Sequence, residues 1–218
     1  MASAGTEIRS APTHDQTRTL VGQTMAWVAA TVGTFAVGAF IGGDLPYQWG
    51  LLFFIGSLGC LVALNRAVER SEPMTITLLL AFGGVTGLAV APTLAYYVST
   101  DPRTVWLAAG ATGLLVAGFG TAGYATRRDL TELGRALFWA LLGLILFGIV
   151  AIFVEIPDGA LVYAVGGLVI FAGLVAFDFQ RLRRNDDART APLLAASIFL
   201  DILTVFLLLL TFVGGGRE

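Results

Sequence analysis

Residues 193–213 read LLAASIFLDILTVFLLLLTFV, an apolar run that a single acid, Asp201, interrupts. A helix of about 20 largely apolar residues crosses the ~30 Å hydrocarbon core of a bilayer, so this run predicts a transmembrane helix. Asp201 is its informative residue, because ionisable groups inside a span are rare and mark functional sites.

Similar apolar runs fill most of the remaining chain. Six further spans are expected at 21–41, 49–64, 74–98, 105–125, 135–154 and 160–179. Pro92 lies inside the third of these and is expected to kink or break it locally. The sequence therefore predicts an all-α, polytopic membrane protein, with seven transmembrane helices over 21–213, a disordered tail over 1–20 and a short tail over 214–218.

The composition agrees with a membrane protein and excludes several functions. The chain is 56% hydrophobic and only 13% charged, whereas about 25% of residues carry charge in soluble domains. His14 and Cys60 are the only histidine and cysteine, which excludes disulfides, haem ligation and His- or Cys-based zinc sites. All 13 basic residues are arginine, so a lysine Schiff base with retinal is impossible. The net charge of -2 argues against a nucleic-acid partner.

Arginine is distributed very unevenly between the two sides of the predicted bundle. Eleven of the 13 arginines lie in the amino-terminal segment and in the 2–3, 4–5 and 6–7 connections, and only Arg103 and Arg217 lie on the other side. The positive-inside rule therefore predicts a cytoplasmic amino terminus and an external carboxyl terminus, in a multi-pass protein of the cytoplasmic membrane.

Two acids, Asp178 and Asp201, fall inside predicted spans. At 1.5 Å per residue, Asp201 is expected about 12–15 Å from the cytoplasmic end of helix 7. Asp178 is expected about 9 Å from that end of helix 6 if the helix continues beyond its apolar span to Arg184. Because a short turn joins these helices, the carboxylates can meet on facing sides of one hairpin. Two such carboxylates can share a proton or offer up to four oxygens to a hard cation such as calcium. Alternatively, Asp178 pairs with Arg181 at the helix end, and Asp201 pairs with an arginine of another helix for packing.

Arg66 and Arg70 are candidate partners of this aspartate pair. They are spaced i and i+4 at the cytoplasmic end of helix 2, where an arginine can compete with one aspartate for the other and so act as a gate partner. The alternative is that they only anchor the helix at the lipid headgroups.

Glycines at helical spacing indicate close contacts between the spans. Gly83 and Gly87 form a GxxxG pattern in helix 3, and Gly118, Gly120 and Gly123 recur in helix 4. Ordinary packing through small residues is the expected role, with a flexible gate as the alternative.

Three stretches together resemble one known family. They are YATRRDLTELGR at 124–135, FDFQR at 177–181 and SIFLDILTVFLLLL at 197–210. They are similar to the transmembrane Bax inhibitor motif family, in particular its bacterial calcium-leak members. The resemblance implies a seventh helix at the centre of the other six. It also implies a proton-sensing aspartate pair at Asp178 and Asp201 beside a calcium-permeable path, and a helix-2 arginine at Arg66 or Arg70.

The leading hypothesis is therefore a pH-sensitive calcium leak channel gated by Asp178 and Asp201, with calcium as the transported ion and no cofactor. Its expected partners are the lipid bilayer, calcium and protons, and a monomer is compatible with the sequence. The alternative is a non-transporting membrane interaction protein that regulates membrane proteases or stress and cell-death responses. An enzyme is not expected, because no predicted span contains histidine. An aspartyl protease stays formally open, since its dyad needs only two acids, but neither aspartate has the neighbouring glycine usual in such proteases.

Overall fold

A computed structural model describes residues 14–154, 158–185 and 187–215, apart from the side chains of 14–19 and 215. Within these ranges the regular structure is entirely helical. The seven long helices are α1 (His14–Ile41), α2 (Gln48–Ala67), α3 (Glu72–Thr100), α4 (Pro102–Ala125), α5 (Thr131–Phe153), α6 (Gly159–Arg184) and α7 (Ala191–Gly215). Each contains a segment that is long and apolar enough to cross a membrane, which confirms the seven predicted spans.

Two helix boundaries differ from the prediction by five residues or more. Helix α1 begins at His14, so part of the tail expected over 1–20 is helical, whereas 1–13 and 216–218 lie outside the described residues. Helix α6 continues past Phe179 to Arg184, because its polar last turn is held by contacts described below.

Pro92 does not break α3, which runs without interruption from Glu72 to Thr100. Of the two expected effects, the local break was therefore wrong, and the kink stays a prediction. Proline removes only one backbone donor, and a helix packed among neighbours in a membrane bundle tolerates that loss.

Helix α7 lies at the centre of the bundle, as expected. It packs against α1, α2, α3, α4 and α6, and 56% of its most apolar segment is buried, more than in any other span. Helix α5 is the most peripheral, since it packs mainly against α6 and none of its corresponding segment is buried. Phe199 anchors the centre of α7, with its ring edge-to-face against Phe35 of α1 at 5.8 Å and Phe82 of α3 at 5.7 Å.

Glycines allow α1 and α3 to approach closely. A Cβ on Gly83 would lie 2.5 Å from Thr34 Oγ1 and 2.6 Å from the carbonyl oxygen of Thr31. A Cβ on Gly87 would likewise clash with the backbone of Phe35. The GxxxG pattern therefore serves close helix packing, as its main interpretation predicted.

Candidate functional site

The antiparallel hairpin of α6 and α7 brings together the two aspartates of the spans. Asp178 lies six residues before the end of α6 and Asp201 ten residues after the start of α7, which corresponds to depths of about 9 and 15 Å. Both side chains are buried, with 5% and 8% of their surface exposed. The charge of Asp178 acts on Asp201 across the hairpin. The fold therefore buries both aspartates on one hairpin, as expected, and their role as a proton sensor stays a prediction.

Ser197 joins the two aspartates in one polar cluster, although the sequence alone did not identify it as a site residue. Its hydroxyl donates a hydrogen bond to Oδ2 of Asp178, and it lies one helical turn before Asp201, on the same face of α7. A signal was available, because Ser197 is the only hydroxyl residue in the first two turns of the predicted span that includes Asp201. Ser197 thus links α7 to α6 directly beside the aspartate pair.

One carboxylate oxygen in this cluster lacks a partner. Oδ2 of Asp201 is buried and accepts no hydrogen bond from any described residue. An unpaired buried polar atom is costly, more so when it is charged. Sharing a proton with Asp178 or binding a cation would remove that cost, so the arrangement can respond chemically to both protons and cations.

Arg181 does not neutralise the pair through a direct contact. Its side chain is exposed, and although its charge acts on Asp178, no ion pair joins the two in the part of the chain that the structure describes. The alternative in which Asp178 is a helix-end acid closely paired with Arg181 is therefore not the arrangement present here.

Arg66 and Arg70 are not brought to the aspartates. Both are exposed and line a groove on the outer side of α2, and neither forms an ion pair with a described acidic residue. A pairing of either arginine with Asp178 or Asp201 would require another conformation, and it stays a prediction.

The last turn of α6 is fastened to the connection between α4 and α5. The side chain of Gln180 accepts a hydrogen bond from the backbone N–H of Leu130 at 2.9 Å and donates one to the carbonyl oxygen of Arg128 at 2.7 Å. Arg183 donates two further bonds of 2.6 Å to the carbonyl oxygens of Tyr124 and Thr126. These contacts satisfy backbone groups of the connection and fix α6 just two residues beyond Asp178.

Asp129 completes this attachment outside the membrane-spanning segments. Hydrogen bonds from the hydroxyl and backbone N–H of Thr131, together with the nearby Arg184 guanidinium, hold the pKa of Asp129 below its usual value. Arg184 reaches it at 2.9 Å. The pair is exposed to solvent, so it contributes little to stability and serves mainly to orient the connection.

A cavity of about 420 Å³ opens at the arginine-rich end of the bundle. It is lined by Gln23 and Trp27 of α1, by Thr75 of α3 and by Pro192 at the start of α7, among others. Pro192 precedes Asp201 by nine residues, or about 13 Å along the helix. The cavity thus lies on the same side of the bundle as the aspartates.

The described residues contain no group of three or more His, Cys, Asp or Glu side chains that could hold a metal ion. Asp178 and Asp201 alone offer up to four oxygens, fewer than the six to eight that calcium prefers. A cation at this pair would therefore keep several water molecules, which suits a transient binding position better than a resident metal site.

Comparison with known proteins identifies relatives along nearly the whole chain. A family model described as "Inhibitor of apoptosis-promoting Bax1" matches residues 17–218. A Deinococcus radiodurans protein is 29% identical over 222 residues, covering 94% of each chain. The Escherichia coli inner membrane protein YbhL is 29% identical over 207 residues, covering 88% of this chain and 84% of its own. A Caulobacter vibrioides protein is 38% identical over 107 residues, covering 44% of this chain and 42% of its own.

Proposed function

Because the chain belongs to the Bax inhibitor-1 family of membrane proteins, we propose that it is a pH-sensitive cation leak, with calcium as the transported ion. The observation that carries this proposal is the buried pair of Asp178 and Asp201 on adjacent helices, in which one carboxylate oxygen accepts no hydrogen bond from a described residue. Burying even one acid at such depth costs free energy, so the presence of two adjacent acids supports a functional role.

In this proposal the pair opens and closes the path by exchanging protons. A proton shared between the carboxylates lets them hydrogen-bond to each other, while Ser197 donates to Asp178, and together these bonds hold α6 against α7. Loss of that proton leaves two negative charges in repulsion and presents their oxygens to a cation. The leak therefore rises as the proton is lost.

The cavity at the arginine-rich end supplies the approach to this pair. In the proposed orientation that end faces the cytoplasm. Water in the cavity would keep protons and hydrated cations within about 13 Å of Asp201 along α7. The proposal includes no covalent chemistry and no cofactor.

A second candidate is a membrane interaction protein without transport activity, in which the aspartates only stabilise the bundle. It is favoured by the attachment of α6 to the connection between α4 and α5 through Gln180 and Arg183. This attachment gives the arginine-rich side a fixed surface that a regulatory partner, such as a membrane protease, could recognise.

Calcium flux into liposomes that contain only the purified protein separates the two candidates. The leak proposal predicts calcium entry and block by trivalent cations, which bind carboxylate oxygens more strongly than calcium does. Protein-free liposomes serve as the control. Absence of flux from folded protein would support the interaction candidate, and equal passage of potassium and calcium would contradict a carboxylate-lined path.

A further inference from the structure

The outer face of α2 forms a groove that ends in two arginines. This lateral groove has a volume of about 570 Å³ and is lined by Ile55, Leu58, Gly59, Val62, Arg66 and Arg70, with Met74 of α3 beside them. Its apolar side chains are largely exposed, since Ile55 is 58% and Val62 is 51% exposed. The groove therefore faces the surroundings of the bundle, which in a membrane are lipid.

The length of the lateral groove matches one leaflet of the bilayer. From Ile55 to Arg66 the helix rises about 16 Å, close to half of the ~30 Å hydrocarbon core. Its apolar part lies toward the membrane centre, and its two positive charges lie at the end of the span, where the headgroups begin. This is the same division between tail and head that a phospholipid has.

The charges at the head end are available to a ligand. Arg66 lies in the last turn of α2 and Arg70 lies one turn further along the chain. Neither side chain has a hydrogen bond or an ion pair with any residue that the structure describes. Arg70 stands at a rim shared by the lateral groove and the end cavity. Two arginines at this spacing present donors that suit the oxygens of a phosphate group.

We propose that the lateral groove is a binding site for an anionic phospholipid, with Arg66 and Arg70 on the headgroup phosphate and one acyl chain along Ile55, Leu58 and Val62. The site binds lipid from the leaflet on the arginine-rich side. Basic pockets between transmembrane helices bind anionic headgroups in this way. The inference does not rest on the proposed leak, because neither arginine belongs to the aspartate pair.

Gly59 offers a way to test the acyl-chain part separately from the headgroup part. A Cβ at Gly59 would meet no atom within 4 Å, so Gly59→Leu starts from open space and should extend its side chain into the lateral groove. Gly110 of α4 is equally open and lies outside this groove, which makes Gly110→Leu a matched control. Arg127, an exposed arginine on the same side of the bundle, provides Arg127→Gln as the control for loss of charge.

The experiment measures binding of phosphatidylglycerol to the purified full chain in detergent by native mass spectrometry. Phosphatidylcholine with the same acyl chains and glycerol 3-phosphate serve as comparison ligands. The wild type should prefer phosphatidylglycerol over both. Arg66→Gln and Arg70→Gln should each weaken phosphatidylglycerol binding about fivefold. Gly59→Leu should also weaken it, and both control variants should bind like the wild type.

Two results would overturn the proposal. If glycerol 3-phosphate bound as well as phosphatidylglycerol, the site would be a simple anion site. If the arginine variants lost affinity while Gly59→Leu did not, the arginines would be general anchors at the headgroups and the lateral groove would hold no acyl chain. The exposed position of all three substituted residues keeps the variants folded, and thermal unfolding of each verifies this.

Discussion

Gly123 of α4 is the position where the fold tolerates a single added carbon least. A Cβ there would lie 2.6 Å from both the Cα and the carbonyl carbon of Ala176 on α6, whereas ordinary contact begins near 3.4 Å. In Gly123→Ala, α4 and α6 must therefore separate by more than about 0.8 Å, because the carbonyl oxygen of Ala176 lies closer still to that Cβ and a backbone obstacle cannot rotate away. Overpacking of this kind costs about 1–3 kcal/mol of unfolding free energy.

The control is Gly118→Ala, on the same helix. A Cβ on Gly118 would meet nothing within 4 Å, so this variant should raise the unfolding free energy by about 0.5–1 kcal/mol, because helices prefer Ala to Gly. Both variants are compared with the wild type by equilibrium unfolding in mixed micelles, followed by tryptophan fluorescence. Equal stability of the two variants would refute the close packing of α4 on α6. Since Ala176 lies two residues before Asp178, Gly123→Ala should also alter the pH dependence of any leak.

Three further predictions concern Ser197 beside the aspartate pair, the orientation of the bundle, and the connection between α4 and α5. Ser197→Ala removes the hydroxyl that donates to the aspartate pair, so it should shift the midpoint of the pH profile of calcium flux without abolishing the profile. With Cys60 replaced, a single cysteine in place of the exposed Arg103 should react with an impermeant thiol reagent on intact cells, and a single cysteine in place of the exposed Arg128 should not. Labelling from outside at position 128 would contradict the predicted orientation. The lowered pKa of Asp129 means that folding favours the ionised form of this carboxylate. The difference in melting temperature between wild type and Asp129→Asn should therefore be constant above about pH 5 and disappear in acid, as the carboxylate is protonated. A difference in melting temperature that grows in acid would be inconsistent with this.

Much of the fold could be predicted from the sequence, because the membrane demands long apolar helices and separates them by polar connections. The end of α1 at Ile41 and the end of α4 at Ala125 were predicted at the residue where the structure has them. The end of α6 could not be predicted in this way, because hydropathy falls after Phe179 although the helix continues. Its last turn depends on Gln180 and on bonds to a connection 50 residues earlier in the chain, which no local pattern reveals.

The candidate site was predictable in part for the same reason. An acid in an apolar run is conspicuous, so Asp178 and Asp201 could be singled out, and the short turn between their helices implied that they meet. Ser197 was missed because a hydroxyl is common in spans and its role depends on the partner that faces it. The position of Arg66 depends on the rotation of α2 in the bundle, which one sequence does not specify.

The pH profile of calcium flux in variants of the aspartate pair tests the central claim most directly. In liposomes, wild-type flux should rise with pH between about 5 and 8, with a midpoint set by the shared proton. Asn preserves the size of Asp but cannot lose a proton, so Asp178→Asn and Asp201→Asn should each flatten the profile, and the double variant should add little to either. Asp44→Asn, at an exposed acid outside the pair, should leave the profile unchanged. Folded single variants of the pair that keep the wild-type midpoint would contradict the claim that these two carboxylates sense the proton.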